Sequence, residues 1–291
     1  MKKVAILLLG TAMLSGCGSD ESGDSRASSS FVGAIESVDQ NNDSIKVGSK
    51  SLNVSHAEIK LNDMPINFIE LNKGMQVDVE YDNGVAYEVE LEPVVVGKVS
   101  HVTSADITIN GQTFKHADLA AKQNILADQR AMLFGYLNDS KEWVITAIYN
   151  ADFLPNDVHE GVVSDFDRAN NTFKLNSTFV ESKDYDDVNE LSNGVWVEIE
   201  GSYNTTSKIF DATDVDVENE LDLANAEVEG YVTTLNNEKT SMTLNGKTVI
   251  AITENTRFED GTKDQLKVGS KVDVDLINNA GQLQASEIEF D

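Results

Sequence analysis

Apolar and polar residues alternate with a period of two over much of the chain. In one such segment Val77, Val79 and Tyr81 are predicted to face inward, and Asp78 and Glu80 to face outward. A polar turn at 82–84 follows. The returning strand carries apolar residues at alternate positions: Val85, Tyr87, Val89 and Leu91. This period is typical of half-buried antiparallel strands, so the pattern predicts an all-β protein.

A short strand motif built around a glycine occurs four times along the chain. Its glycines are Gly33, Gly97, Gly161 and Gly230, at spacings of 64, 64 and 69 residues. Asn-Gly pairs at 110–111 and 245–246 indicate hairpin turns. A Leu-x-x-Gly element occurs at 71–74, 191–194 and 266–269, whereas the second copy has Ile-Leu-Ala-Asp at 125–128. Self-similarity at a fixed spacing indicates tandem modules.

We divide this part of the chain into four units, which are used as names below: unit 1 (31–93), unit 2 (94–157), unit 3 (158–225) and unit 4 (226–291). Each is predicted to contain three strands, a short helical turn and two strands. The turns are expected at 66–71, 186–191 and 263–266. A short helix between strands three and four of a five-stranded closed sheet is the plan of the OB-fold. The prediction is therefore four tandem small five-stranded antiparallel barrels, OB-like in plan, with open meanders as the alternative.

The joint recurrence of three motifs resembles a known family. These are the Gly-x-Val start, the Asn-Gly turn and the Leu-x-x-Gly-x-x-Val-x-Val element, as at 266–274. Together they resemble the domain of unknown function numbered 5666, over about 31–291. The resemblance implies tandem OB-like modules in a bacterial lipoprotein and brings no established activity.

The N-terminus has the pattern of a lipoprotein signal peptide. Lys2 and Lys3 precede a short apolar run that ends in Leu-Ser-Gly-Cys at 14–17, so residues 1–16 are predicted to be removed. The last four residues resemble the lipobox of bacterial lipoproteins, which implies that Cys17 is acylated. In lipoproteins of Gram-negative bacteria an Asp after the cysteine signals retention in the inner membrane. Gly18 stands at that position here, so the outer membrane is predicted for a Gram-negative source, facing either the periplasm or the outside. The Ser-rich stretch that completes 17–30 is predicted to be a flexible tether.

The net negative charge of the chain bears on which partners and ligands it can bind. Fifty acidic residues against 22 basic ones give a formal charge of −28, which disfavours nucleic acid as a partner. Acids are predicted to line the outer faces of several hairpins: Asp78 and Glu80, Glu198 and Glu200, and Asp273 and Asp275. Like charges across a ladder destabilise it. We interpret these faces as solvated and predict no cofactor; the alternative is that they bind Ca²⁺ or Mg²⁺.

Trp196 departs from the alternation, because Val195, Val197 and Ile199 share the predicted inner face. It is predicted to lie outside and to pack on a neighbouring unit. The alternatives are that it stacks on a sugar, grips a partner, or lies in the core because the register differs. His101 and His116 are expected at solvated or rim positions, with a metal site across their hairpin as the alternative.

The sequence contains none of the specific catalytic motifs, and no histidine recurs in register. We therefore predict a non-enzymatic, membrane-anchored envelope lipoprotein that binds or scaffolds. The alternative is a surface lipoprotein that binds carbohydrate or divalent cations. The expected partners are the membrane, through the lipid, and an envelope protein or glycan.

Overall fold

The computed structural model describes residues 29–116, 119, 121–183 and 191–291, and these form an all-β structure. The strands of unit 1 are β1 (Ser29–Asp39), β2 (Ser44–Val47), β3 (Lys50–Asn53), β4 (Glu58–Leu61), β5 (Met64–Pro65), β6 (Gln76–Asp82) and β7 (Val85–Leu91). Those of unit 2 are β8 (Val95–Val102), β9 (Asp106–Ile109), β10 (Gln112–Lys115), β11 (Ala121–Lys122), β12 (Arg130–Leu137) and β13 (Trp143–Asn150).

The second half of the chain has the same order of long and short strands. Those of unit 3 are β14 (Asp157–Asp167), β15 (Thr172–Leu175), β16 (Thr178–Ser182), β17 (Trp196–Asn204) and β18 (Ile209–Val217). Those of unit 4 are β19 (Ala226–Leu235), β20 (Ser241–Leu244), β21 (Thr248–Ala251), β22 (Arg257–Glu259), β23 (Lys271–Asn279) and β24 (Gln282–Phe290). The prediction of an all-β protein is confirmed.

Strand pairing gives small barrel-like closures. In unit 1 the order is β1-β2-β3-β7-β6 and back to β1, with β3 parallel to β7. Unit 3 closes as β14-β15-β16-β18-β17, and unit 4 closes as β19-β20-β21-β24-β23. In unit 2, β10 pairs with β9, and no ladder in the described part of the chain joins β10 to β13.

The Leu-x-x-Gly element is a tight turn beneath a buried apolar residue. Its glycines, Gly74, Gly194 and Gly269, have left-handed φ values of 86°, 96° and 86°. Glycine adopts such values readily because it has no Cβ atom. Each glycine N–H donates to a carbonyl of the first strand of its own unit, at 2.6–2.9 Å. Asp128 has φ 71° and makes the same bond to Val99 at 2.9 Å, so unit 2 has this turn with aspartate in place of glycine.

The predicted inner face of β7 is wrong near the hairpin turn. A bulge after Glu80 places Tyr81 opposite Ala86, so Ala86 is buried while Val85 is 40% exposed. An extra residue in one strand reverses which side chains face inward on that side of the bulge. The alternation predicted for Val89 and Leu91, beyond the bulge, is confirmed.

The predicted helical turns are single turns of 3-10 helix, at Phe68–Glu70 and Lys263–Gln265. The turn expected at 186–191 lies outside the described residues except for Leu191. A further 3-10 turn at Glu220–Leu223 connects units 3 and 4, where the sequence predicted none. These segments have three or four residues, too few for a series of α-helical hydrogen bonds, so they adopt the tighter 3-10 helix.

Four buried apolar clusters form the interior. Three lie within units 2, 3 and 4, whereas the cluster of unit 1 extends into unit 2 through Met132, Phe134 and Tyr149. The parallel pair β1–β19 joins units 1 and 4 in one sheet, and the pair β8–β14 joins units 2 and 3 in another. Backbone hydrogen bonds and shared core therefore connect the units.

Candidate functional site

The acidic face of unit 1 has a lysine beside it. Across the ladder Asp78 is opposite Glu90, and Glu80 is opposite Glu88. The ammonium group of Lys60, on β4, lies 2.8 Å from the carboxylate of Glu88 and 3.8 Å from that of Glu90. This lysine offsets part of the like-charge repulsion that the sequence predicted.

Asp78 is more enclosed than its place on an outer face suggests. Burial raises the pKa of its carboxyl to about 6; the hydroxyl of Ser30, which donates to it at 2.7 Å, opposes the shift, and Glu90 and Glu80 add to it. Glu80, two residues along, is exposed. The two predicted site residues of unit 1 therefore lie in different environments.

Asp273 and Asp275 lie on β23 in unit 4, on the face that meets unit 1. Asp273 is only 8% exposed, so the solvated position expected for it is wrong, and its Oδ1 has no hydrogen-bond partner among the described residues. Burial raises its pKa to about 7, with a contribution from Glu229, which is opposite it on β19. Asp275 is opposite Glu227, which pairs with Lys50 of unit 1 at 2.5 Å.

Glu198 and Glu200 lie on β17 of unit 3, and both are partly buried. Glu198 is opposite Asp216. Glu200 accepts hydrogen bonds from the side-chain amides of Asn156, at 2.6 Å, and Asn62, at 3.2 Å. Because Asn62 belongs to unit 1 and Asn156 to unit 2, Glu200 links three units.

Trp196 lies between units. Its indole N–H donates to Oε1 of Glu160 at 2.6 Å, and its ring meets the edge of Trp143, from unit 2, at 6.0 Å between centroids. The ammonium group of Lys247, from unit 4, lies 5.5 Å from the centre of the Trp196 ring. The ring therefore packs against two neighbouring units, the placement that we predicted. Its role in binding stays a prediction.

Lys247 is the centre of a charged group that we call the Lys247 cluster, with Glu92, Glu160, Glu218 and Trp196. Its ammonium group lies 2.7 Å from Glu160 and 3.3 Å from Glu218. Burial opposes its charge, but the carboxylates outweigh burial and raise the pKa of Lys247. Burial raises the pKa of Glu92 well above its usual range, with contributions from Glu218 and Glu198. The cluster joins units 1, 3 and 4.

Sequence reasoning missed the Lys247 cluster. Lys247 follows the Asn-Gly turn at 245–246, a place where a lysine is normally solvated. Nothing in the local pattern indicates that this hairpin end packs on unit 3. Only the packing of unit 4 on unit 3 brings the lysine to its acids.

The histidines have unlike surroundings. His101 is exposed, whereas His116 is 2% exposed and its Nδ1 lies 3.1 Å from the ammonium group of Lys122, so the expected solvated position of His116 is wrong. His159 is fully buried in unit 3, with Nε2 at 3.0 Å from Oε1 of Gln112, and burial lowers its pKa to about 4. Among the described residues, no group of three or more His, Cys, Asp or Glu side chains is arranged to hold a metal ion.

A cleft of about 520 Å³ lies where units 1, 2 and 4 meet. Tyr136 of unit 2 and Tyr231 of unit 4 stack within its lining, with ring centroids 4.7 Å apart and planes 19° from parallel. Two carboxylates and two lysines also line it: Glu36, Glu229, Lys73 and Lys271. Sequence reasoning did not single out this cleft, although each tyrosine directly follows a glycine that lines it.

Cys17, the signal peptide and nearly all of the tether lie outside the described residues. No helix in the described part of the chain is long and apolar enough to cross a membrane.

Comparison with known proteins gives one family match. The family described as Domain of unknown function (DUF5666) matches residues 229–289, within unit 4, which confirms the resemblance inferred from the motifs. No curated protein matches the chain.

Two solved structures are similar at low identity. One is Drosophila Unr CSD456, at 11% identity over 69% of this chain and 98% of that chain. The other is a multidomain protein with nucleic acid binding domains from Streptococcus pneumoniae, at 14% identity over 66% of this chain and 71% of that chain. Both have a TM-score of 0.18, so neither carries an argument about this protein.

Proposed function

We propose that this chain is a non-enzymatic lipoprotein, anchored in the outer membrane, whose four β units form one binding or scaffolding body. The observation that carries the proposal is the way the units are joined. Shared strand pairs, a shared apolar core and the Lys247 cluster connect them. A body joined in this way holds its surfaces at fixed positions relative to one another, which suits a protein that positions partners.

The same proposal takes each unit to be an OB-like module. Strand order in units 1, 3 and 4 supports it, since the third strand lies parallel to the last and the fourth pairs with the first. That order is the five-stranded OB plan. Unit 2 is the most divergent module, because its β11 lies parallel to β13 in the place that the third strand takes in unit 3.

The lipid anchor is supported by the sequence. The apolar run before Cys17 is too short to span a bilayer and ends in a pattern like a lipobox. Two or three acyl chains would hold the protein stably, because each buried CH₂ contributes roughly 0.8 kcal/mol. Gly18 supports the outer rather than the inner membrane.

Metabolic labelling tests the anchor. Cells that express the full chain or its Cys17→Ser variant are given an alkyne-bearing fatty acid, and their membranes are separated on a density gradient. We expect label on the full chain in the outer-membrane fraction and none on the variant. Label on the variant, or an unlabelled protein in the inner-membrane fraction, would overturn this part of the proposal.

Photo-crosslinking in intact cells tests the binding role. A photoreactive amino acid replaces Glu80 in unit 1 or Glu259 in unit 4, both of which are exposed and acidic. We expect a crosslink to a basic envelope protein that weakens when the acid next to the label is reversed, by Glu88→Lys beside Glu80 or Asp260→Lys beside Glu259. Crosslinks only to abundant proteins, unchanged by charge reversal, would contradict a specific partner.

A further inference from the structure

We infer that the cleft between units 1, 2 and 4 binds a short saccharide of neutral or weakly charged residues. This inference rests on the proposed binding role and names a ligand class for it. A volume of about 520 Å³ lies inside the range of about 300–1,000 Å³ that is usual for small-molecule sites. The site lies between the units, and its lining includes neither Trp196 nor any of the acids that the sequence predicted as site residues.

The aromatic part of the cleft is the Tyr136–Tyr231 stack. Both rings are half-buried, and their hydroxyl groups make no hydrogen bond within the described residues. Tyrosine offers an apolar ring and a polar end, and a sugar offers an apolar CH face and a rim of hydroxyls. The pair therefore matches a ligand that is apolar on its faces and polar at its edges.

The charges of the cleft indicate a ligand with little net charge. In a chain of formal charge −28, this lining has two carboxylates and two lysines. Glu229 is paired with Lys271 at 2.7 Å, and Glu36 is paired with Lys46. The paired carboxylates give the cleft hydrogen-bond acceptors. Because each is neutralised by a lysine, the electrostatic potential in the cleft is weak. Ligand hydroxyls can use such acceptors, whereas a cation would have to compete with the lysines.

The cleft is held in shape by contacts between the units that line it. The N–H of Leu137 in unit 2 donates to the carbonyl of Asn245 in unit 4 at 3.1 Å, next to the tyrosine stack. The hydroxyl of Tyr149 in unit 2 donates to the carbonyl of Lys73 in unit 1. A site formed before the ligand arrives loses less conformational entropy on binding, which favours measurable affinity for a small sugar.

The test titrates the full-length protein, in detergent, with three trisaccharides: cellotriose, chitotriose and trigalacturonate. Saturation-transfer NMR identifies which one binds, and calorimetry measures its Kd. We expect saturable binding of at least one neutral trisaccharide, with transfer from tyrosine ring protons. No binding of any of the three, or binding of trigalacturonate alone, would overturn the inference.

Two substitutions locate the binding. Ser37 is exposed and lines the cleft, so Ser37→Trp is expected to block it and to weaken binding about tenfold or more. Ser51→Trp is the matched control, because Ser51 is exposed on the same unit and does not line the cleft. Equal affinity of both variants and the unchanged protein would place the saccharide elsewhere and contradict the inference.

A third variant tests the tyrosine hydroxyl, and the crosslinking experiment separates failure of this inference from failure of the proposed function. Tyr231→Phe keeps the ring stack and removes one hydroxyl, so the fold is retained while saccharide binding weakens. If Ser37→Trp abolished an envelope-protein crosslink while no trisaccharide bound, the cleft would be a protein site. That result would overturn the saccharide and leave the scaffolding role in place.

Discussion

Two charged regions of this protein have nearly the same composition and differ in what they connect. In the Lys247 cluster one lysine pairs with Glu160 and Glu218, both of which belong to unit 3 while the lysine belongs to unit 4. In the second region Lys271 pairs with Glu229 and Asp291, and all three belong to unit 4. The first lysine joins units and the second stays within one.

Each region also contains a third acid, which is not paired closely with the lysine. Beside Lys247 it is Glu92 of unit 1, and beside Lys271 it is Asp273 of unit 4; burial raises the pKa of both. One ammonium group can pair closely with two carboxylates, and a third buried carboxyl then favours its neutral form. The same ratio of one lysine to three acids therefore joins two units in one place and stays within one unit in the other, and in both places burial favours the protonated form of the third acid.

Removing the inter-unit lysine should have the largest effect. Lys247→Met leaves Glu160, which is 12% exposed, and Glu218, which is 33% exposed, without their cation, and we expect it to lower the free energy of unfolding by about 3 kcal/mol. Urea unfolding followed by tryptophan fluorescence measures this, since Trp196 lies beside the lysine. Lys271→Met is the matched comparison and should cost less, because Lys271 and its partner Asp291 are 30% and 41% exposed, against 24% and 33% for Lys247 and Glu218. Equal losses would remove the distinction between the two regions.

The next largest effect is expected at Trp196. Trp196→Phe removes the N–H that donates to Glu160, and a hydrogen bond to a charged group contributes about 1.5–3 kcal/mol. Trp143→Phe is a matched control, because the buried indole N–H of Trp143 has no partner among the described residues. We expect the urea midpoint to fall for the first variant and to stay or rise for the second. The reverse order would contradict the role given to the Trp196–Glu160 bond.

A smaller effect, dependent on pH, is expected at Asp273. Its folded pKa of about 7 lies above the usual value of 3.8, so folding favours the protonated form. Its contribution to stability is full below about pH 4 and is lost as the pH rises through about 7. Asp273→Asn should therefore stabilise the protein by about 1 kcal/mol at about pH 8 and change little at about pH 4.

Urea unfolding of Asp273→Asn at both pH values checks this prediction. The groups that face Asp273 are Glu229, Asp291, Glu227 and Lys271, so three acids oppose its ionisation and one lysine favours it. A stabilisation by Asp273→Asn that is equal at the two pH values would show that ionisation of Asp273 is not its cause.

The smallest effect is expected from divalent cations on the outer acidic faces. Thermal unfolding in millimolar Ca²⁺ should give the same midpoint as NaCl of equal ionic strength, because exposed carboxylates respond chiefly to screening. Circular dichroism at the β-sheet band measures both midpoints. A higher midpoint in Ca²⁺ alone would mean that the acid ladders bind the cation specifically.

The strands and their turns could be predicted because they depend on local chemistry. Asn110 and Asn245 have left-handed φ values of 49° and 53° in the hairpin turns that their Asn-Gly pairs indicated. The face of Val77 and Val79 is buried as the alternation required. The bulge after Glu80 was not predictable, because it depends on how β6 and β7 pair within the closed sheet, which a period-two pattern does not contain.

The same distinction between local pattern and tertiary contact applies to the candidate site residues. The sequence indicated correctly that Asp78, Glu80, Asp273 and Asp275 lie in acidic rows and that Trp196 packs on neighbouring units. It could not indicate that Asp273 is nearly buried, since that follows from the pairing of β19 with β1. Nor could it indicate the Tyr136–Tyr231 stack, whose two rings are 95 positions apart in the chain.

The sequence by itself determined the strand class, the recurring turns and the acidic character. Each of these depends on residues within a few positions of one another, where backbone preference and side-chain periodicity act. Only the tertiary structure decided which carboxylates share a lysine, which acids lose their solvent, and where three units leave a cleft. Those outcomes depend on contacts between units, and the free energy of a buried charge depends on its neighbours in space rather than in sequence.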